Sequence, residues 1–122
     1  MNNTLGYVEL HCHSNFSLLD GASHPEDLVR QASQLGMPAL ALTDHDGLYG
    51  AIRFYKACLK AGIKPIIGAE MTLKNGHHIT LLAKNNRGYS NLCRVITEAH
   101  LKRCKGNPAL DPEELVHHSD GL

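Results

Sequence analysis

The stretch Pro38-Ala39-Leu40-Ala41-Leu42-Thr43-Asp44-His45-Asp46-Gly47 decides the fold. Ala39 to Leu42 is apolar at every position, so neither face of the segment can be meant for water, as in a strand buried within a parallel sheet. The run then stops in Thr43-Asp44-His45-Asp46, a block of polar side chains at what would be the carboxyl end of the strand. Lys64-Pro65-Ile66-Ile67-Gly68-Ala69-Glu70 repeats the design, again closed by a carboxylate. Tyr7-Val8-Glu9-Leu10-His11-Cys12-His13 precedes both, and its period of two places Glu9, His11 and His13 on one face.

Helical patterns separate these runs. Pro25 stands where a first helical residue is expected, Glu26 and Asp27 fill the first turn, and Leu28, Ala32 and Leu35 form a stripe that ends before Gly36. A second helix is expected from about Tyr49 to Ala61, with Ile52, Tyr55 and Leu59 on one face and Gly62 as its stop. Asn75-Gly76 between strand-like runs reads as a type I′ hairpin turn. A third helix, roughly Tyr89 to Lys102, would bury Leu92, Val95, Ile96 and Ala99, and Asp111-Pro112-Glu113-Glu114 has the order of a further helix start. Strands alternating with helices predict an α/β fold with right-handed crossovers. Three such units do not close an eight-stranded barrel of about 250 residues, so a truncated barrel is the expectation.

Composition narrows the function. The 122 residues carry twelve basic and twelve acidic side chains, so the footprint of a self-sufficient nucleic-acid binder is absent. No apolar run suits a membrane span, and Met1 to Gly6 lacks the blocks of a leader peptide, which together predict a cytoplasmic protein. Cys12, Cys58, Cys93 and Cys104 form no CxxC pair and read as reduced thiols. Nine histidines are unusual, and histidine is the commonest metal ligand.

Every candidate ligand lies at the end of an expected strand or in the loop after it: His11 and His13, then Asp44 and His45, then Glu70. A lone His-x-His pair says little, but three strand ends of this kind converge on one rim. Imidazoles mixed with carboxylates suit Zn, Mn or Fe, and such a cluster can hold several cations, clamp a phosphate and acidify a water.

At the level of motifs, Leu10-His11-Cys12-His13-Ser14, Phe16-Ser17-Leu18-Leu19-Asp20-Gly21-Ala22, Ala41 to Gly50, Lys64 to Glu70, Leu81 to Asn85 and Gly88 to Leu92 resemble the opening of the polymerase-and-histidinol-phosphatase (PHP) domain. The likeness is to the version found in bacterial DNA polymerase III alpha subunits and error-prone polymerases. It implies that residues 1–122 are the N-terminal portion of one PHP domain, the first half of a distorted seven-stranded α/β barrel. It also implies a centre of two or three divalent metals, phosphoesterase or 3′–5′ exonuclease chemistry, and a parent that works on DNA with other polymerase subunits. By resemblance, His11, His13, Asp20, His45 and Glu70 fall on ligand positions, and aspartate at position 20 favours the polymerase branch. The next ligand is expected on the helix after Asn91-Leu92, where Glu98 fits the register and His100 the residue type. The remaining ligands of the family, a cysteine and an Asp-x-His pair, would lie beyond Leu122.

Asp44 is expected to orient His45 or the neighbouring backbone, a role ligand histidines commonly require. His77, His78, His117 and His118 match none of the motifs and read as exposed loop or helix-end residues. A structural platform for other polymerase subunits and a free-standing phosphatase are the competing readings. Retention of the early ligands argues for the metal-binding one, with the isolated chain itself a poor catalyst.

Overall fold

The computed structural model describes residues 6–122; apart from Gly6, the stretch Met1 to Gly6 read for a leader lies outside them. Helix α1 (Pro25–Gln34) leads into strand β1 (Ala39–Leu42), α2 (Ala51–Ala61) and β2 (Lys64–Thr72). Strand β3 (His78–Leu82), α3 (Asn86–Leu101) and the short α4 (Pro112–His117) complete the order. No helix among the described residues is long and apolar enough to cross a membrane.

The sheet runs β1-β2-β3. β1 and β2 are parallel, with Ala39 opposite Lys64 and Leu42 opposite Ile67, and α2 forms the crossover between them. All four residues of β1 are buried, as its unbroken apolar run requires. The segment before α1 lies beside β1 without forming a named strand. Glu9 bridges Leu40 in parallel, Ala41 N donates to Glu9 O at 2.9 Å, and Thr43 N donates to Cys12 O at 2.8 Å. The expected first strand is therefore an extended edge that brings His11 and His13 to the end of β1.

Two apolar clusters flank the sheet. Val29, Ala32, Leu40, Leu42, Phe54, Cys58 and Ile63 form one under α1 and α2; Ala69, Met71, Leu81, Leu92, Val95, Ala99 and Leu110 form the other under α3. The expected faces of α1 and α2 need correction. α1 buries Val29 and Ala32 and leaves Leu35 exposed. α2 buries Ala51, Phe54 and Cys58, whereas Ile52 and Leu59 are 62% and 59% exposed. The two stripes on α2 are one residue apart, about 100° of rotation, and both are apolar enough to pass for the core face. Packing chose the one where Ala51 and Cys58 let the helix approach the sheet and Phe54 fills the gap. Ile52 and Tyr55 instead line an open groove of about 390 Å³ with Pro65, Ile67, Ala83 and Tyr89.

The β2–β3 hairpin corrects a second expectation. A two-residue type I′ turn at Asn75-Gly76 would set Leu73 opposite His78. The observed register sets Thr72 opposite His78 and Glu70 opposite Thr80. Leu73 N donates to His77 O at 2.8 Å, so Lys74, Asn75 and Gly76 form a three-residue loop. Only Gly76 within it has positive φ, at 84°, the residue that closes such a loop. The slip of one residue turns His78 onto the face that carries Glu70.

Candidate metal centre

Five elements deliver side chains to one end of the sheet. The extended edge supplies His11 and His13, the loop after it Asp20, the end of β1 His45, the middle of β2 Glu70, and the start of β3 His78. Their ligand atoms form three groups, each within 4.8 Å: His11, His13 and Glu70; His13, Asp20 and His45; His45, Glu70 and His78.

Glu70 is the hub. Its Oε2 lies 2.5 Å from His13 Nε2, 3.2 Å from His11 Nε2 and 3.4 Å from His45 Nδ1, and its Oε1 lies 3.2 Å from His78 Nδ1. Burial would raise its carboxyl, but hydrogen bonds from His11 and His13 and the nearby charges of His45 and His13 outweigh that, leaving its pKa below the ordinary value. Asp20 closes the outer side, with Oδ2 2.6 Å from His45 Nε2 and 2.9 Å from His13 Nδ1. The hydrogen bond with His45 is the chief reason its carboxyl also titrates low. Both carboxylates are thus held ionised amid imidazole nitrogens.

Asp44 does not join them. It is 2% exposed, and its carboxylate accepts from Ser14 N at 2.6 Å, Ser14 Oγ at 2.7 Å and Ser17 Oγ at 2.7 Å. Ser17 Oγ in turn accepts from His45 N at 3.0 Å, and Asp20 N donates to Ser17 O at 3.1 Å. The buried carboxylate therefore fastens the Asp20 loop to the end of β1.

The helix residues expected as the next ligand are elsewhere. Glu98 Oε1 lies 3.4 Å from His118 Nε2 and its Oε2 lies 3.9 Å from Lys102 Nζ, while His100 Nε2 donates to Asp46 O at 2.6 Å. Neither belongs to the three groups. His78, read as a loop histidine, lies instead beside Glu70 and His45 in the third group. The signal for it was the alternation His78, Thr80 along β3, which becomes informative only once the hairpin register is known. Cys12 sits between two cluster histidines, but burial and then the charges of Glu9 and Asp44 push its thiol up to about 11. It joins none of the groups.

The residues that build this centre lie inside a match to the family model described as PHP domain, which covers residues 9–122. The chain belongs to the PHP domain family. This PHP chain is 47% identical to the error-prone DNA polymerase of Symbiobacterium thermophilum, over 97% of its own length and 12% of the relative's. It is 42% identical to the DNA polymerase III subunit alpha of Chlamydia pneumoniae, over 95% of its length and 10% of that protein's. It therefore spans about a tenth of the length of these curated relatives.

Among solved structures, the PHP chain matches a protein assigned as a metal-dependent phosphoesterase from Bifidobacterium adolescentis with TM-score 0.55 and 29% identity. That match covers 82% of this chain and 36% of the other. An amidohydrolase from Chromobacterium violaceum, solved with sulfate and without metal, matches with TM-score 0.64 and 29% identity, over 79% of this chain and 34% of that one.

The donor set of the PHP chain fits divalent cations. Three imidazole nitrogens face one carboxylate oxygen, an arrangement in which their lone pairs need a positive centre or a proton each. Four imidazoles with two carboxylates, and no thiolate, form the mixture suited to Zn, Mn or Fe rather than to structural zinc.

Proposed function

We propose that this chain is the metal-binding N-terminal portion, residues 1–122, of a PHP domain in a bacterial DNA polymerase III alpha-type or error-prone polymerase. We propose further that its centre serves phosphoester hydrolysis, including removal of nucleotides from DNA 3′ ends. The observation that carries the reading is Glu70, which belongs to two of the three ligand groups and turns its two oxygens to different imidazoles. A carboxylate placed this way is what a multi-cation phosphoesterase needs, because adjacent cations that grip one phosphate lie close together and a two-oxygen ligand can serve both.

His11, His13, Asp20, His45, Glu70 and His78 would hold the metals. Divalent cations bound there would supply Lewis-acid stabilisation of the phosphate oxygens and an acidified water. The chain's own part is to keep that set in place. Glu70, with two oxygens aimed at different imidazoles, can serve two positions. A neutral imidazole ligates through one nitrogen and commonly donates from the other, so His13 and His45 can each serve only one cation at a time. These six side chains therefore do not complete three sites, and the full centre takes further ligands. The match to about a third of the length of the solved relatives supports placing those ligands in the rest of a PHP domain.

In the parent protein, DNA and other polymerase subunits would be the partners, in line with the names of the polymerase relatives, and the cytoplasm would be the location. The even balance of charge supports placing any strong DNA grip in other parts of that protein. The test compares bis(p-nitrophenyl) phosphate and 3′-labelled DNA hydrolysis, with Mn or Zn, by this chain and by a complete PHP domain built on it. The chain alone is expected to turn over little substrate and the complete domain to be active, with loss of activity in Glu70→Gln. A complete domain that binds metal yet hydrolyses neither substrate would assign the centre to a structural platform instead.

A further inference from the structure

His100 meets the candidate centre through the backbone. Its Nε2 lies 2.6 Å from the carbonyl oxygen of Asp46, although the two residues are 54 apart in sequence. A carbonyl only accepts, so Nε2 carries the proton and the tautomer is fixed. Asp46 directly follows His45 and holds a left-handed φ of 50°, a conformation uncommon for residues with a side chain, of which Asn and Asp adopt it most readily.

Every polar group of Asp46 is in fact held. Its N–H donates to Glu70 O at 2.9 Å, and its carboxylate accepts from Thr72 N and Thr72 Oγ1, both at 2.8 Å. Those three bonds tie it to β2. The bond from His100 alone ties it to α3, and it acts on the carbonyl, so it fixes the peptide plane on the far side of the turn. His45 is the residue from which that turn departs, and its own N–H is held by Ser17 Oγ at 3.0 Å.

We propose that His100 is a positioning residue for the metal centre: its Nε2–H clamps the Asp46 carbonyl, locks the left-handed turn and thereby sets the direction in which the His45 imidazole enters the cluster. The inference rests on the reading of that cluster as a cation site. His100 touches no cation in this scheme, so a side chain that donates one hydrogen bond at similar reach replaces it, and one that cannot donate does not.

The experiment titrates the full chain and its His100→Leu and His100→Gln variants with Co(II), reading affinity and the visible ligand-field bands, with circular dichroism as the check on folding. His100→Leu is expected to keep the fold, bind Co(II) about tenfold or more weakly and shift the bands, as loss of a partner that orients a ligand does. His100→Gln is expected to restore both affinity and spectrum. Wild-type spectrum and affinity in His100→Leu, or a His100→Gln as impaired as His100→Leu, would overturn the proposal while leaving the cation site standing. Absence of Co(II) binding by the unaltered chain would remove the cation reading and this inference with it. If His100→Leu and His100→Met both fail to fold while His100→Gln folds, His100 is a pin of the whole fold and the proposal is overturned.

Discussion

His78 Nδ1 lies 3.2 Å from Glu70 Oε1 across a hairpin whose register places Thr72, not Leu73, opposite His78. The contact exists only because the loop has three residues. His78→Ala should therefore lower the metal content of the purified chain, while His77→Ala, one residue away on the other face, should leave it unchanged. Elemental analysis of the two variants after dialysis checks this, and equal loss in both would refute the role given to His78.

Asp44 accepts three hydrogen bonds within the protein interior, from Ser14 and Ser17. Removing an ionised acceptor leaves those donors unpaired, at a cost of about 3 kcal/mol. Asp44→Ala should therefore lower the stability read by urea unfolding. It should also weaken metal binding, because Asp20 and His45 lose the anchor they share.

Gly21 ends the loop that carries Asp20, and a Cβ there would stand 2.0 Å from Ser14 O. The neighbour is backbone and cannot swing aside. Gly21→Ala is expected to cost about 1–3 kcal/mol by overpacking. Limited proteolysis should then cut near Asp20 in the variant at protease levels that spare the parent.

The two stripes of α2 predict opposite outcomes. Phe54 is 0% exposed, and Phe54→Ala should cost about 3–5 kcal/mol; Leu59, 59% exposed, should tolerate alanine within about 0.5 kcal/mol. Thermal unfolding of the pair measures the difference.

Burial pushes the Cys58 thiol from 9.0 up to about 11. Between those values the unfolded chain loses this proton and the folded chain keeps it, so stability falls as pH rises through the window. At pH 8 a disulfide reagent should modify exposed Cys104 rapidly and spare Cys58 until the protein unfolds.

The sequence made the strand ends legible because an apolar run closed by His, Asp or Glu has few structural explanations: burial demands the run, and only chemistry or a turn demands its polar end. Ala39 to Leu42 with His45 was readable on that ground, whereas the apolar run Ile66 to Ala69 pointed to Glu70 but not to the end of its strand, because β2 continues through Thr72 in its pairing with β3. Two features were not legible. The face of α2 was hidden by the equal apolarity of adjacent stripes, a choice that side-chain volume against the sheet makes and hydrophobicity does not. His78 was hidden by a turn in which Asn75-Gly76 supports a two-residue loop locally, while pairing of β2 with β3 over five residue pairs favours the longer one. On α3 the resemblance leaves Glu98 and His100 both open as the next ligand, and the structure sets Glu98 beside His118 and gives the His100 imidazole a carbonyl.

The central claim is that the side chains gathered around Glu70 form a metal centre. The most direct test is metal content by mass spectrometry, after mild dialysis, of the chain and of a His11→Ala, His13→Ala double variant with unchanged circular dichroism. Retention of Zn, Mn or Fe by the chain and its loss in the variant is the predicted result. Equal metal content in the two proteins, or none in either when supplied with each metal in turn, would contradict it.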